Sequence, residues 1–172
     1  VDVLVNNAGM GLGMDRVADA VDERWAAMYE TNVLGALRVN RAFLPKLIEG
    51  SGHLVVLGST SGFEVYPGGA GYTASKHALR AMTKTLRLEL LGQPVRITEI
   101  SPGLVETEFA TVRLGDVARA KAVYRGMTPL SADDVAACVA FAVSLPPHVN
   151  VDEIVVRPLD QASATAVHRR SE

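Results

Sequence analysis

His53-Leu54-Val55-Val56-Leu57-Gly58 is a short apolar run rich in β-branched residues. It is too brief for a typical helix and closes on a glycine, so it reads as a buried strand. A Gly/Ser/Thr-rich loop, Ser59 to Gly71, leads from it into a helical pattern over 72–91, which Gly92-Gln93-Pro94 breaks. Val95 to Ile100 is then a second apolar strand. Strand, long helix and strand in that order are the unit from which parallel sheets are built.

Outward from this unit the pattern repeats. Upstream, Val1 to Val5 is a strand ending in the turn Asn6-Asn7-Ala8-Gly9, and 22–48 carries helical spacing, with Pro45 expected to bend or end it. Downstream, Ser131 and Asp134 form a capping-box pattern that opens a helix ending at Leu145-Pro146-Pro147, and Val151 to Val156 is a last strand. Ser101-Pro102-Gly103 begins an irregular stretch, and Phe109 to Met127 has weak helical periodicity and several polar residues. The 72–91 helix is expected to turn Ala78, Ala81, Met82, Thr85 and Leu86 to its apolar side. The fold class that follows is α/β, a Rossmann-like doubly wound parallel sheet. Residues 1–161 read as the C-terminal two-thirds of one dinucleotide-binding domain, and 162–172 as a polar, loosely held tail.

Composition narrows the function. Lys and Arg number 17 against 19 Asp and Glu, a net charge of −2 that gives no footprint for nucleic acid or an anionic membrane surface. No apolar run is long enough for a membrane span. A single cysteine, Cys138, excludes an internal disulfide and fits a cytoplasmic setting. His53, His77, His148 and His168 lack metal-ligand spacing and read as surface or turn residues.

Two glycine-rich or polar clusters compete for the chemistry. Gly9-Met10-Gly11-Leu12-Gly13 follows a strand, but from Gly9 the sixth position is Met14 and from Gly11 it is Arg16. The pyrophosphate fingerprint therefore fails, and a strand-end turn is the plainer reading. Tyr72-Thr73-Ala74-Ser75-Lys76 is stronger. Four residues apart on a helix, Tyr72 and Lys76 share a face, and an ammonium beside a phenol lowers its pKa toward a useful general acid/base. Ser59 sits at the carboxyl end of a strand, where parallel sheets place their ligands.

Together these residues resemble the short-chain dehydrogenase/reductase family. The marks are Asn6-Asn7-Ala8-Gly9, Asn32 within Thr31-Asn32-Val33-Leu34-Gly35, Ser59 thirteen residues before Tyr72, the Tyr72/Lys76 pair, and Pro102-Gly103-Leu104-Val105-Glu106-Thr107. The resemblance implies Tyr72 as general acid/base, Ser59 orienting the substrate oxygen, Lys76 lowering the tyrosine pKa and binding the nicotinamide ribose, and Asn32 holding a relay water. It also implies that Asn7, Ala8, Gly9, Pro102, Gly103, Val105 and Thr107 line the cofactor groove, and that the assembly is a homo-oligomer, a tetramer. NADP is the expected cofactor, with NAD the alternative. The family's pyrophosphate-binding β-α-β unit has no counterpart here, so about 75–80 residues are expected to precede the chain.

The segments Glu99 to Phe109 with Val112-Arg113, Leu130 to Val135 and Leu145 to Val151 resemble NADP-dependent 3-hydroxy acid dehydrogenases, and the related clavulanate-type aldehyde reductases share the closing Arg157-Pro158-Leu159-Asp160-Gln161 segment. A short 3-hydroxy acid or its semialdehyde is thus the expected substrate, with Arg113 or Arg125 as the cation for its carboxylate. Two alternatives stand: a reductase of bulkier ketones or aldehydes, and a non-catalytic cofactor-binding chain.

Overall fold

The computed structural model describes residues 1–170. Four strands, β1 (Val3–Asn6), β2 (His53–Leu57), β3 (Arg96–Pro102) and β4 (Glu153–Val156), form one sheet in sequential order, each pair parallel. Parallel neighbours need crossover connections, and helices supply them. Between β1 and β2 run α1 (Asp22–Tyr29), a π turn (Glu30–Gly35) and α2 (Ala36–Glu49). Between β2 and β3 lies α3 (Ala70–Glu89). Between β3 and β4 come α4 (Phe109–Leu114), α5 (Val117–Val123) and α6 (Ala132–Ser144). The architecture is the expected Rossmann-like α/β sheet.

Alternate residues of the central strands project to opposite faces. Leu54, Val56 and Ile97 accordingly share a face and meet Ala36 and Leu47 of α2 and Leu79 of α3 in a buried cluster. β1 is an edge strand, with Val3 and Val5 each 42% exposed. Among the described residues no helix is long and apolar enough to cross a membrane.

Several local expectations change. Helix α2 runs through Pro45 to Glu49. A proline costs one backbone hydrogen bond, and Leu47, fully buried two residues later, anchors the turn that follows. The buried side of α3 carries Tyr72, Thr73, Ser75, Lys76, Leu79 and Thr83, whereas Ala81 and Thr85 face solvent. Apolar periodicity misplaces this face because the buried stripe is largely polar.

His53 is not a surface residue. It is buried in β2, its Nε2 2.7 Å from Thr98 Oγ1, and burial pushes its pKa down to about 4. The tail is also held. Ala164 N donates to Glu64 Oε2 (2.6 Å), and Arg170 pairs with Asp160 (2.8 Å) while its backbone N donates to Gly126 O (2.8 Å). Ser171 and Glu172 lie outside the described residues.

Candidate active site

At the carboxyl end of β2, Ser59 adopts an extended backbone and caps a single 3₁₀ turn, Thr60–Gly62, accepting from Ser61 N at 3.1 Å. Tyr72 lies in the first turn of α3. Its depth is set by Gly71, where a Cβ would come 2.6 Å from Met28 Cε and 2.9 Å from Trp25 Nε1. The missing side chain lets α3 press onto α1, and Tyr72 is left only 9% exposed.

Burial dominates the electrostatics. It pushes the Tyr72 phenol up to about 12, opposed by a hydrogen bond from Ser59 and by the charge of Arg113. Lys76, one turn on, is equally enclosed, and burial draws its ammonium down to about 8 against the pull of Glu99. Lys76 Nζ donates to Leu57 O at 2.9 Å and stands 6.0 Å from the centre of the Tyr72 ring. Ser59 and Arg113 are the groups that oppose the rise of the phenol pKa.

Asn32 occupies the π turn and is fully buried. Its Oδ1 accepts from Met10 N (2.8 Å), and its Nδ2 donates to Met10 O (2.8 Å) and Ser75 Oγ (2.9 Å). The side chain is therefore a clasp between the loop after β1 and α3. Asn7, Ala8 and Gly9 lie exposed along that loop. A Cβ at Gly9 would stand 3.3 Å from Lys76 Nζ and 3.5 Å from Asn32 Oδ1, so this glycine keeps the space over both groups clear.

Opposite, the chain after β3 is tied by hydrogen bonds to distant segments. Gly103 N donates to Val156 O (2.8 Å), Leu104 N to Gln161 Oε1 (2.8 Å), and Tyr124 Oη to Val105 O (2.8 Å). Pro102 closes β3, and Thr107 Oγ1 accepts from Phe109 N at 3.3 Å. Helix α4 then lies over Tyr72: the Phe109 ring is 5.4 Å from the tyrosine ring, and the Arg113 guanidinium 5.0 Å. Arg113 is held by Gly13 O (3.1 Å) and Tyr66 Oη (2.9 Å).

The glycine run now has a physical role. A Cβ at Gly11 would sit 2.8 Å from Phe109 Cζ and 3.1 Å from Arg113 Cδ, so Gly11 and Gly13 form the seat on which α4 rests. Arg125, the other candidate cation, follows α5, and its carbonyl accepts from Arg169 (2.5 Å). Among the described residues no group of His, Cys, Asp or Glu is arranged to hold a metal.

Ser59, Tyr72, Lys76, Asn32, Gly9 and Arg113 are thus brought together from five separate segments. Sequence reasoning missed Tyr66, Ser75 and Gln161 as supports. Ser75 and Gln161 lay inside the segments Tyr72 to Lys76 and Arg157 to Gln161, while Tyr66 carried no signal of its own.

The sequence profile of the family described as short chain dehydrogenase matches residues 1–116. The chain belongs to that family. Among its relatives, an uncharacterized oxidoreductase of Mycobacterium tuberculosis is 62% identical over 155 residues, covering 89% of this chain and 62% of its own. A sulfoacetaldehyde reductase of Chromohalobacter salexigens is 46% identical over 98% of this chain and 69% of its own. An NADP-dependent 3-hydroxy acid dehydrogenase of Escherichia coli is 41% identical over 99% of this chain and 70% of its own. The closed form of a serine dehydrogenase complexed with NADP+ superimposes with a TM-score of 0.92 at 41% identity, covering 99% of this chain and 70% of that one. This short-chain dehydrogenase sequence therefore spans about 62% of the length of the mycobacterial protein it matches.

Proposed function

We propose that the protein is an NADP(H)-dependent oxidoreductase that interconverts the alcohol and carbonyl forms of a short substrate bearing an anionic group, a 3-hydroxy acid in the first instance. The observation that carries this reading is the stacking of Arg113 over Tyr72, which puts a fixed cation beside the group suited to proton transfer. The named activities of the Escherichia coli and Chromohalobacter relatives, on a 3-hydroxy acid and on sulfoacetaldehyde, both involve small anions and support it.

The residues fit the cofactor. An ammonium has three N–H directions, and Lys76 uses one on Leu57 O, which leaves donors for ribose hydroxyls. Gly9 keeps that approach open. Asn7, Ala8, Pro102, Gly103, Val105 and Thr107 would form the walls of the groove. When bound, NADP(H) supplies or takes up hydride. Tyr72, protonated at neutral pH, gives its proton to the carbonyl oxygen during reduction and recovers it in the reverse direction. Ser59 fixes the substrate oxygen against Tyr72, Lys76 carries the positive charge below, and Asn32 keeps the loop in register. Arg113 pairs with the substrate anion, and Phe109 beside it excludes water.

The test is a kcat/KM comparison in the full-length protein between serine or 3-hydroxypropionate and an uncharged alcohol of equal size. Preference for the anions that collapses in Arg113→Met supports the reading. Equal use of the neutral alcohol sinks it.

A further inference from the structure

The loop that carries Ser59 is gripped from outside the site. Gly62 N and Glu64 N fold back onto Ser59 O (2.8 Å) and Thr60 O (2.9 Å), which fixes Glu64 one turn beyond Ser59. Both carboxylate oxygens of Glu64 are taken by the stretch that follows β4, 93 and 100 residues away. Oε1 accepts from Arg157 Nη2, and Oε2 accepts from Ala164 N at 2.6 Å. The Arg157 guanidinium also lies over the Phe63 ring, 5.7 Å from its centre. Hydrogen bonds to an ionised carboxylate are roughly twice as strong as neutral ones.

Residues 157–164 hold their own shape. Gln161 N donates to Pro158 O (3.0 Å), Ala162 N to Ala166 O (2.9 Å), and Gln161 Nε2 to Ser163 O (3.2 Å). A grip on Arg157 and Ala164 therefore sets where Gln161, between them, stands. Gln161 is 6% exposed, and its Oε1 accepts from Leu104 N at 2.8 Å. Gly103 admits this approach, since a Cβ there would come 2.2 Å from Gln161 Oε1 and 3.2 Å from Arg157 Cγ. One short stretch thus touches the Ser59 loop on one side and the loop after β3 on the other.

We infer that Glu64 is a positioning residue: by holding residues 157–164 against the Ser59 loop, it places the Gln161 acceptor at Leu104 N and so sets the gap between the two loops. The catalytic meaning of this grip rests on the proposed function, in which residues 102–107 wall the cofactor groove. The two attachments are unequal. The stretch is fastened to the Ser59 loop by an ion pair and a charge-assisted bond, and to Leu104 by one neutral bond. Loosening the brace therefore opens the Leu104 tie first.

Amide hydrogen exchange of the full-length protein, resolved to single residues, tests this at Leu104. Glu64→Ala should speed exchange there by about tenfold, the size expected when one net hydrogen bond is lost, although the altered side chain bonds elsewhere. Gln161→Ala should exchange at least as fast, and adding Glu64→Ala to it should make no further difference, because both break one path. Arg157→Met keeps the stem beside Gly103, removes the guanidinium, and serves if Glu64→Ala does not fold. A Leu104 amide exchanging at the parent rate in folded Glu64→Ala or Arg157→Met overturns the inference, as does further acceleration in the double variant. Exchange quickened evenly along the chain, as a general loss of stability produces, overturns it too. Kinetics separate the brace from the function on which it rests. KM for NADPH should rise in Glu64→Ala while kcat changes little, the pattern of a lost binding contribution. If exchange at Leu104 responds and KM does not, the brace stands and the groove assigned to residues 102–107 falls.

Discussion

The two walls of this site are built by different physics. The wall of β2 and α3, carrying Ser59, Tyr72 and Lys76, is backed by the apolar cluster of Leu54, Val56, Leu79 and Ile97. The wall of residues 102–127 buries only Ala110, Ala120 and Met127 among its apolar side chains, outside that cluster, and is tied to distant segments by single hydrogen bonds to Gln161, Tyr66 and the tail. Burial of apolar area is cooperative and hard to break at one point, whereas a set of separate polar ties gives way one at a time. A rigid wall suits groups that must hold a proton in register. A wall held by separable ties suits the part that must admit and release a substrate.

The comparison breaks most completely at its centre. Tyr72→Phe removes one hydroxyl and should lower turnover by about 10³-fold or more while leaving the unfolding midpoint near that of the parent, since general acid–base groups contribute 10²–10⁴-fold. Turnover near the parent rate would remove the proton-transfer wall altogether.

Leu54→Ala, fully buried in β2, tests the backing of the same wall. It should cost about 2–5 kcal/mol in denaturant unfolding, through lost burial and the cavity left behind. Gln161→Ala should cost less in stability, about 1–3 kcal/mol for the stranded Leu104 amide, but should speed hydrogen exchange across 103–107 specifically. Equal effects of the two on exchange throughout the chain would erase the distinction between the walls.

A pH series sharpens it further. The Tyr72 phenol is held well above neutrality, so the fraction able to accept a proton rises with pH. Alcohol oxidation should therefore climb between pH 7 and 8 while carbonyl reduction does not, as initial rates in the two directions would show. The smallest effect concerns His53. Its folded pKa, near 4, is below the ordinary 6.5, so protons bind more tightly to the unfolded chain. The stability this contributes is present above about 6.5 and is lost as pH falls toward 4. His53→Asn should flatten that acid slope in unfolding measured from pH 7 to 4.

The first wall was legible in the residues and the second largely was not. Tyr72 and Lys76 are one helical turn apart, so the 3.6-residue period alone puts them together, and Ser59 follows from its place at a strand end. Asn32 was legible as a site residue, but its use as a clasp on Met10 depends on a contact across 22 residues. Arg113 could be named only as a cation of suitable type. Its meeting with Tyr66 and Gly13, 47 and 100 residues away, carries no local signature. The glycine run was rightly set aside as a phosphate cradle, but that its spacing answers to the packing of α4 had no local signal.

What the sequence by itself determined is the order of strands and helices, the parallel sheet and the Ser59, Tyr72, Lys76 set, because periodicity and strand ends are local properties of the chain. Only the tertiary structure decided the protonation and the reach of those groups. It buries Tyr72 and Lys76, seats Arg113 over the ring, sinks His53 into the sheet and brings Glu99 beneath Gly58. Charge in a protein interior depends on what encloses it, and the enclosing atoms come from residues far apart in the chain.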